Sequence, residues 1–333
     1  MTTVPDYAQA GMLRRPEFFD GAFHAIEGEP SVSNIMLTAG LDYTVSKQDI
    51  YFPHPDGISD PIRSQKHSVP WLHDNLTGKR WPLDVTVGRE TYTTIQNDPI
   101  VTAITEVASA IGMTIEGAAT FNSGGRVAMW GEFGDEFQIK GDPHQKVWVA
   151  RWSHDGSWSA GFKAYVGRRW CGNMIPGQIM GAGSKAEVSI KHTKSSEFKV
   201  PLLAEAIATS MVSVEDYERV FLRLYDRKVE PQDLDKFLST LFPIDPLVEQ
   251  APEHLLTAGQ KRSKTMAMNK RAAVRDVFYN SFTQEDLRFT AAGVFHAAVE
   301  AFDHRMSGDR GYKIVNGDDI KAKAQALELA LAI

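Results

Sequence analysis

The sequence predicts an α+β fold: an N-terminal antiparallel sheet with hairpins and one packed helix, followed by a helical C-terminal part. Three observations predict it. Residues 113–170 are dominated by apolar and aromatic residues broken by Gly-containing bends, the pattern of strands joined as hairpins. Asp98-Pro99 is a helix start, and Ile100, Ile104, Val107 and Ile111 recur behind it at helical spacing until Gly112 ends the run. From about Pro201 the pattern turns helical and stays so to the C-terminus. The expected division is an α+β domain over residues 1–200 and a helical domain over 201–333.

The elements follow in order. The first part of the chain is rich in Pro, Gly, Asp and His and shows little periodicity. Short strands are expected over residues 41–52 and 85–95, with PHPDGISDPIRSQKHSVPWLHDNLTGKRWP as a long loop between them. After the helix, MTIEGAATFNSGGRVAMWGEF, KVWVARWSH and WSAGFKAYVGRRW read as two antiparallel hairpins. Their bends are Asn122-Ser123-Gly124-Gly125 and His154-Asp155-Gly156-Ser157. In the second part, SVEDYERVFLRLYDRK opens with Ser213 and Asp216 at capping-box spacing. PQDLDKFLSTLF carries Pro231 in a first turn, and EHLLTAGQKRSKTMAMNKRAAVRDVFYNSF reads as one long helix. EDLRFTAAGVFHAAVEAFDHRM reads as amphipathic, and DDIKAKAQALELALAI closes the chain.

Composition narrows the function classes. No stretch approaches about 18 consecutive apolar residues, so no membrane partner is expected, and the N-terminus lacks an apolar signal core. The single cysteine, Cys171, excludes an intramolecular disulfide and a cysteine-rich zinc site. It fits a reducing cytoplasm, the host cell's if the protein is phage-encoded. The formal net charge of -6 argues against a polyanionic partner, but its distribution argues for one. Residues 140–199 hold 10 Lys/Arg against 4 Asp/Glu, and residues 259–275 hold 6 against none. These two blocks are either a polyanion-binding surface or two solvated faces that meet nothing.

Catalytic readings of the motifs are weak. Ser153, His154 and Asp155 are adjacent, and adjacent residues cannot align nucleophile, base and orienting group; a hairpin turn explains them better. Cys171 beside Trp170 and Gly172 reads as a small buried residue rather than a thiolate paired with His154. The ten histidines are scattered, and none forms H-x-x-x-H or H-E-x-x-H. Glu132, Asp135 and Glu136 could hold Mg2+ but fall where a turn is expected. Gly177–Lys185 lacks the order of a phosphate-binding loop. No catalytic residue, metal ligand or cofactor is therefore expected.

The remaining signal is aromatic residues interleaved with positive charge. Counting by twos, Trp158, Ala160, Phe162, Ala164 and Val166 share an apolar face. Ser159, Gly161, Lys163, Tyr165 and Gly167 share the other, with Arg168 and Arg169 at its end and Arg151 on the neighbouring strand. Such a face could stack bases and neutralise phosphates, as single-strand binders do. Lys191 and Lys194 extend this block. In the second, Lys261, Arg262, Lys264, Lys270, Arg271 and Arg275 lie on a predicted helix. Lys264, Arg271 and Arg275 fall on one stripe, and Met266, Met268 and Val274 are expected to face the core.

Spaced landmarks carry a resemblance. They are Gly40-Leu41-Asp42-Tyr43-Thr44-Val45, Arg89-Glu90-Thr91-Tyr92 with Gln96-Asn97, Ser123-Gly124-Gly125-Arg126, Ser153-His154-Asp155-Gly156-Ser157, Arg169-Trp170-Cys171-Gly172-Asn173, and Thr290-Ala291-Ala292-Gly293 leading to Phe302-Asp303-His304. Together they resemble a family of phage- and plasmid-borne proteins, domain of unknown function 932. The resemblance implies a phage or mobile-element setting and assigns no chemistry. The function expected is nucleic-acid binding, with single-stranded DNA as partner in recombination or replication and a homo-oligomer as the working form. The alternatives are a phage protein that modulates a host protein and a metal-dependent enzyme acting on nucleic acid.

Overall fold

A computed structural model describes residues 23–26, 28–169, 172–180, 187–193, 214–306, 310–317 and 319–333. β1 (Phe23–Ala25) and α1 (Val32–Thr38) precede a hairpin of β2 (Tyr43–Phe52) and β3 (Ile62–Asp74). β4 (Arg80–Pro82) and β5 (Val87–Gly88) pair with β3, giving a four-stranded sheet. After α2 (Asn97–Ile111) comes an antiparallel meander of β6 (Gly117–Phe121), β7 (Arg126–Ile139), β8 (Asp142–Ser153) and β9 (Ala160–Arg168). With β1 on β6, and β10 (Met174–Pro176) and β11 (Glu187–Ile190) on β9, it forms a seven-stranded sheet. The rest is helical: α3 (Val214–Asp226), α4 (Pro231–Leu241), α5 (Pro246–Gln250), α6 (Ala258–Asn280), α7 (Ala291–Glu300), α8 (Arg310–Asn316) and α9 (Ile320–Ala332). The fold is α+β. No described helix is long and apolar enough to cross a membrane.

Local sequence explains most of these elements. Gly112 adopts φ 69°, and its N–H bonds Ala108 O, closing α2 with a left-handed residue that glycine takes at no steric cost. Pro231 sits at the start of α4 behind a Glu230–Asp233 capping box. Thr257 and Gln260 form the box that starts α6. Ser213, the expected cap of α3, lies outside the described residues.

Three expectations fail locally. The segment read as a long loop contains β3 and β4. The inward positions of β3 include Ser64, Ser68, Pro70 and Leu72, so the period of two is present but half of the residues that carry it are serines and one is a strand-breaking proline. The strand expected over 85–95 shrinks to Val87–Gly88. The helix around residue 295 is not amphipathic: every residue of α7 is buried, as for a helix enclosed on all sides.

Burial on both faces of the large sheet organises the molecule. Met129, Trp148, Trp152, Phe162 and Val166 face the main core with α2, α3, α4, α6, α7 and α9. Ala128, Trp130, Val147, Val149 and Tyr165 face a smaller core completed by Ile314 and Val315 of α8. The boundary expected near residue 200 falls in an undescribed stretch, and the main core draws residues from both sides of it, from Ile35 to Ala330. α7 is the centre of the helical layer, touching α3, α6 and α9. Its Thr290 cap accepts from the Gly293 N–H at 3.0 Å, and a Cβ at Gly293 would collide with the Leu287 carbonyl.

Gly293→Ala is therefore expected to destabilise. The helix-propensity gain of about 1 kcal/mol is outweighed by an overpacking cost of roughly 1–3 kcal/mol against rigid backbone. A lower urea midpoint with an unchanged m-value is the expected result; an equal or higher midpoint would show that Leu287 yields.

Candidate nucleic-acid interface and a buried polar centre

Strand alternation puts Lys163 and Tyr165 on one face as the sequence predicts, but that face is covered, and Arg168, expected at its end, turns to the other. Lys163 is 5% and Tyr165 1% exposed. Tyr165 Oη donates to Ile314 O at 2.8 Å. Arg151 Nη1 donates to Val315 O and Asn316 O, both at 2.8 Å, and Lys163 Nζ to Asn316 O at 3.3 Å. These acceptors are the last carbonyls of α8, which lack intrahelical donors and carry the negative end of the helix dipole. The face expected to meet a phosphate chain instead caps a helix of the same protein.

Arg168 points into the opposite core at 1% exposure. Its Nε donates to both carboxylate oxygens of Asp142 at 2.9 and 2.7 Å, and Nη1 donates to Thr283 O. Tyr225 Oη donates to the same carboxylate. Arg169 makes a two-pronged pair with Glu132 at 2.9 and 3.0 Å and reaches Glu136 at 3.2 Å. That pairing also commits two of the three acids considered for Mg2+. Lys191 is exposed beside β11; Lys194 and Cys171 lie outside the described residues.

The second block divides similarly. Lys264 Nζ donates to Val248 O and Glu249 O near the end of α5, at 3.1 and 2.8 Å. Arg271 donates to Phe242 O at 3.0 Å and Glu249 at 2.9 Å, and Arg275 pairs with Asp235. Lys270 lies 5.8 Å from the Phe242 ring centroid. Lys261 and Arg262 have no ion-pair partner among the described residues. Val274 is in the core, but Met266 and Met268 are 51% and 53% exposed. The buried residues of α6 are Val274, Val277 and Phe278, all in its C-terminal half; its N-terminal half touches the main core only through the partly buried Ala267. Because α6 packs in the main core and Lys163 and Tyr165 face the smaller one, the large sheet separates these two residues of the first block from the second.

The His154-Asp155-Gly156-Ser157 segment is a turn. Asp155 accepts the Ser157 N–H at 2.9 Å, and Arg126 pairs with Asp155 at 2.7 Å. His154 Nε2 and Trp152 Nε1 meet Asn97 Oδ1 at 2.9 and 2.8 Å, while Asn97 Nδ2 donates to Leu41 O. Burial pushes the His154 imidazole down to about 3, and burial also lowers His144, His192 and His296.

One cluster has no signal in the sequence. Asp142 and His144 on β8 meet His296 on α7, with one ligating atom of each within 4.8 Å of the others, and all three are buried. His144 Nδ1 lies 2.8 Å from Asp142 O. His144 Nε2 and both ring nitrogens of His296 have no hydrogen-bond partner among the described residues. The three ligands could hold a metal ion. A separation of more than 150 positions between Asp142 and His296 hides such a set from any spacing rule.

Arg168→Ala would leave the Asp142 charge buried beside Tyr225, so a loss of roughly 3–5 kcal/mol in unfolding free energy is expected by urea titration. An effect on oligonucleotide binding without loss of stability would contradict this placement. Acid sensitivity follows from the histidines. Between about pH 6.5 and 3 the unfolded chain binds protons that folded His154 refuses, so stability is complete above about 6.5 and falls as pH drops. The urea midpoint is expected to decline from pH 7.5 to 5, less steeply in His154→Gln; equal slopes would show that His154 does not contribute.

No curated protein matches the chain, and no solved structure matches it. A family model described as a domain of unknown function (DUF932) matches residues 85–328, from ahead of α2 into α9. The Gly40–Val45 landmark lies outside that span, and the other landmarks lie within it. Most of the chain is covered, and the protein belongs to the DUF932 family.

Proposed function

We propose that the protein binds the backbone of a nucleic acid, single-stranded DNA in the first instance, through the exposed N-terminal half of α6. One observation carries this reading. Lys261 and Arg262 stand unpaired at the head of a 23-residue helix whose first turn contains no acid. The positive end of the helix dipole already repels cations there, by a few tenths of a kcal/mol per charge, and Lys264 adds like charge one turn away. Folding alone favours Glu at these positions, whereas a phosphate arriving at the helix head relieves the repulsion.

Lys270 adds exposed positive charge further along α6, and Met266 and Met268 supply apolar contact on its N-terminal half. A few free cations per chain hold a polymer weakly. The reading therefore includes the homo-oligomer, in which repeated copies of α6 line one path. The exposed methionines also support a second reading, an acidic protein partner with an apolar groove for this helix.

The test is a pair of substitutions, Lys261→Glu and Arg262→Glu, with a fluorescent oligonucleotide titrated at several salt concentrations. The double variant is expected to be as stable as the parent or slightly more so. It should bind all sequences more weakly, with a salt slope smaller by about 1.4 for two lost contacts to a single strand. Binding by the parent that is absent at low salt or insensitive to salt sinks the reading. Capture of a host protein that survives nuclease treatment, and is lost in Met266→Glu, supports the second one.

A further inference from the structure

We infer that Asp142, His144 and His296 form a binding site for one first-row divalent metal ion of the zinc type. The inference does not depend on the nucleic-acid reading and uses different residues.

The donor set is the first reason. Two imidazoles and one carboxylate suit Zn2+ and its neighbours, whereas Mg2+ and Ca2+ take oxygen ligands. The geometry is the second. His144 Nε2 lies 3.6 Å from Asp142 Oδ2. Two ligands on a tetrahedral ion with bonds of about 2.1 Å are about 3.4 Å apart, so the His144 imidazole and the Asp142 carboxylate already stand about one coordination edge apart. His296 brings a third donor within 4.8 Å.

Protonation is the third reason. The carbonyl of Asp142 can only accept, so the 2.8 Å contact fixes the proton of His144 on Nδ1. Its Nε2 lone pair then faces the cluster, the orientation in which a metal-binding histidine is held by a carbonyl behind it. The fourth reason is the absence of any other use for the nitrogens. His144 and His296 are both fully buried, and three of their four ring nitrogens find no partner among the described residues. A buried polar atom left without a partner is costly, and an ion supplies the missing one.

Arg168 is the opposing charge. It holds Asp142 through Nε, and Tyr225 donates to the same carboxylate. Oδ2 accepts from both Arg168 Nε and Tyr225 Oη and Oδ1 from Arg168 alone, so a metal takes Asp142 through the lone pair left on Oδ1. Arg168 and Tyr225 then become the groups that orient the ligand. The guanidinium weakens the site relative to one without a nearby cation, so the affinity is measured at micromolar metal.

The experiment uses the full chain without a polyhistidine tag, treated with chelator and returned to buffer. Zn2+ is expected to bind at one equivalent by calorimetry and to raise the melting temperature. Co2+ is expected to give visible ligand-field absorption of a low-symmetry site, and excess Mg2+ neither effect. His144→Gln and His296→Gln are each expected to abolish the Co2+ spectrum. No Zn2+-dependent rise and no Co2+ absorption in the parent protein would overturn the inference, whether or not the variants fold. Unchanged one-to-one binding in folded His144→Gln or His296→Gln would overturn it as well, since the ion would then sit elsewhere.

Discussion

Burial of both faces of β8 and β9 is the constraint on which the rest depends. A strand covered on one side can send its charged residues to water, but β9 cannot, since all nine of its residues are buried. Lys163 and Arg168 must therefore be satisfied by protein. The fold meets this by bringing helix ends and carboxylates to them: the last carbonyls of α8 on one face, Asp142 and Thr283 on the other. The C-terminal helical layer is thus the source of acceptors for donors fixed in the sheet more than a hundred residues earlier.

The same device recurs on α6. Lys264 and Arg271 spend their donors on carbonyls of α5 and the end of α4, which lie at negative helix ends. Cations used in this way stabilise the join between elements and are unavailable to a polymer. Density of positive charge in a sequence therefore overstates the charge a surface offers. What distinguishes Lys261 and Arg262 is their place, at a helix end where the dipole gives no structural reason to put them.

The residues that carry the family resemblance make many of the long-range polar contacts among the described residues. Gln96 bonds both the N–H and the carbonyl of Val45, each at 2.9 Å. Asn97 ties Leu41 to Trp152 and His154; Arg126 holds Asp155; Asn173 donates to His296 O. Asp303 pairs with the buried Lys323, 2% exposed against 4%. Each joins segments distant in sequence where water is excluded, and there an unpaired group is expensive. Their restriction to particular residue types follows from that requirement and needs no catalytic role.

Much of the architecture was legible because its causes are local. The helix from residue 98, the left-handed Gly112, the proline start of α4 and the alternation along β9 each depend on a few adjacent residues. β3 was not legible, since its inward residues are mostly serine and proline, and the enclosure of α7 was not, since amphipathicity depends on what surrounds a helix. The sequence alone determined which residues share a face and where the helices begin. Only the tertiary structure decided which faces meet water, that the first basic block is a helix cap, and that Asp142, His144 and His296 converge. Periodicity fixes direction relative to one's own element, whereas exposure and convergence depend on which distant element packs opposite.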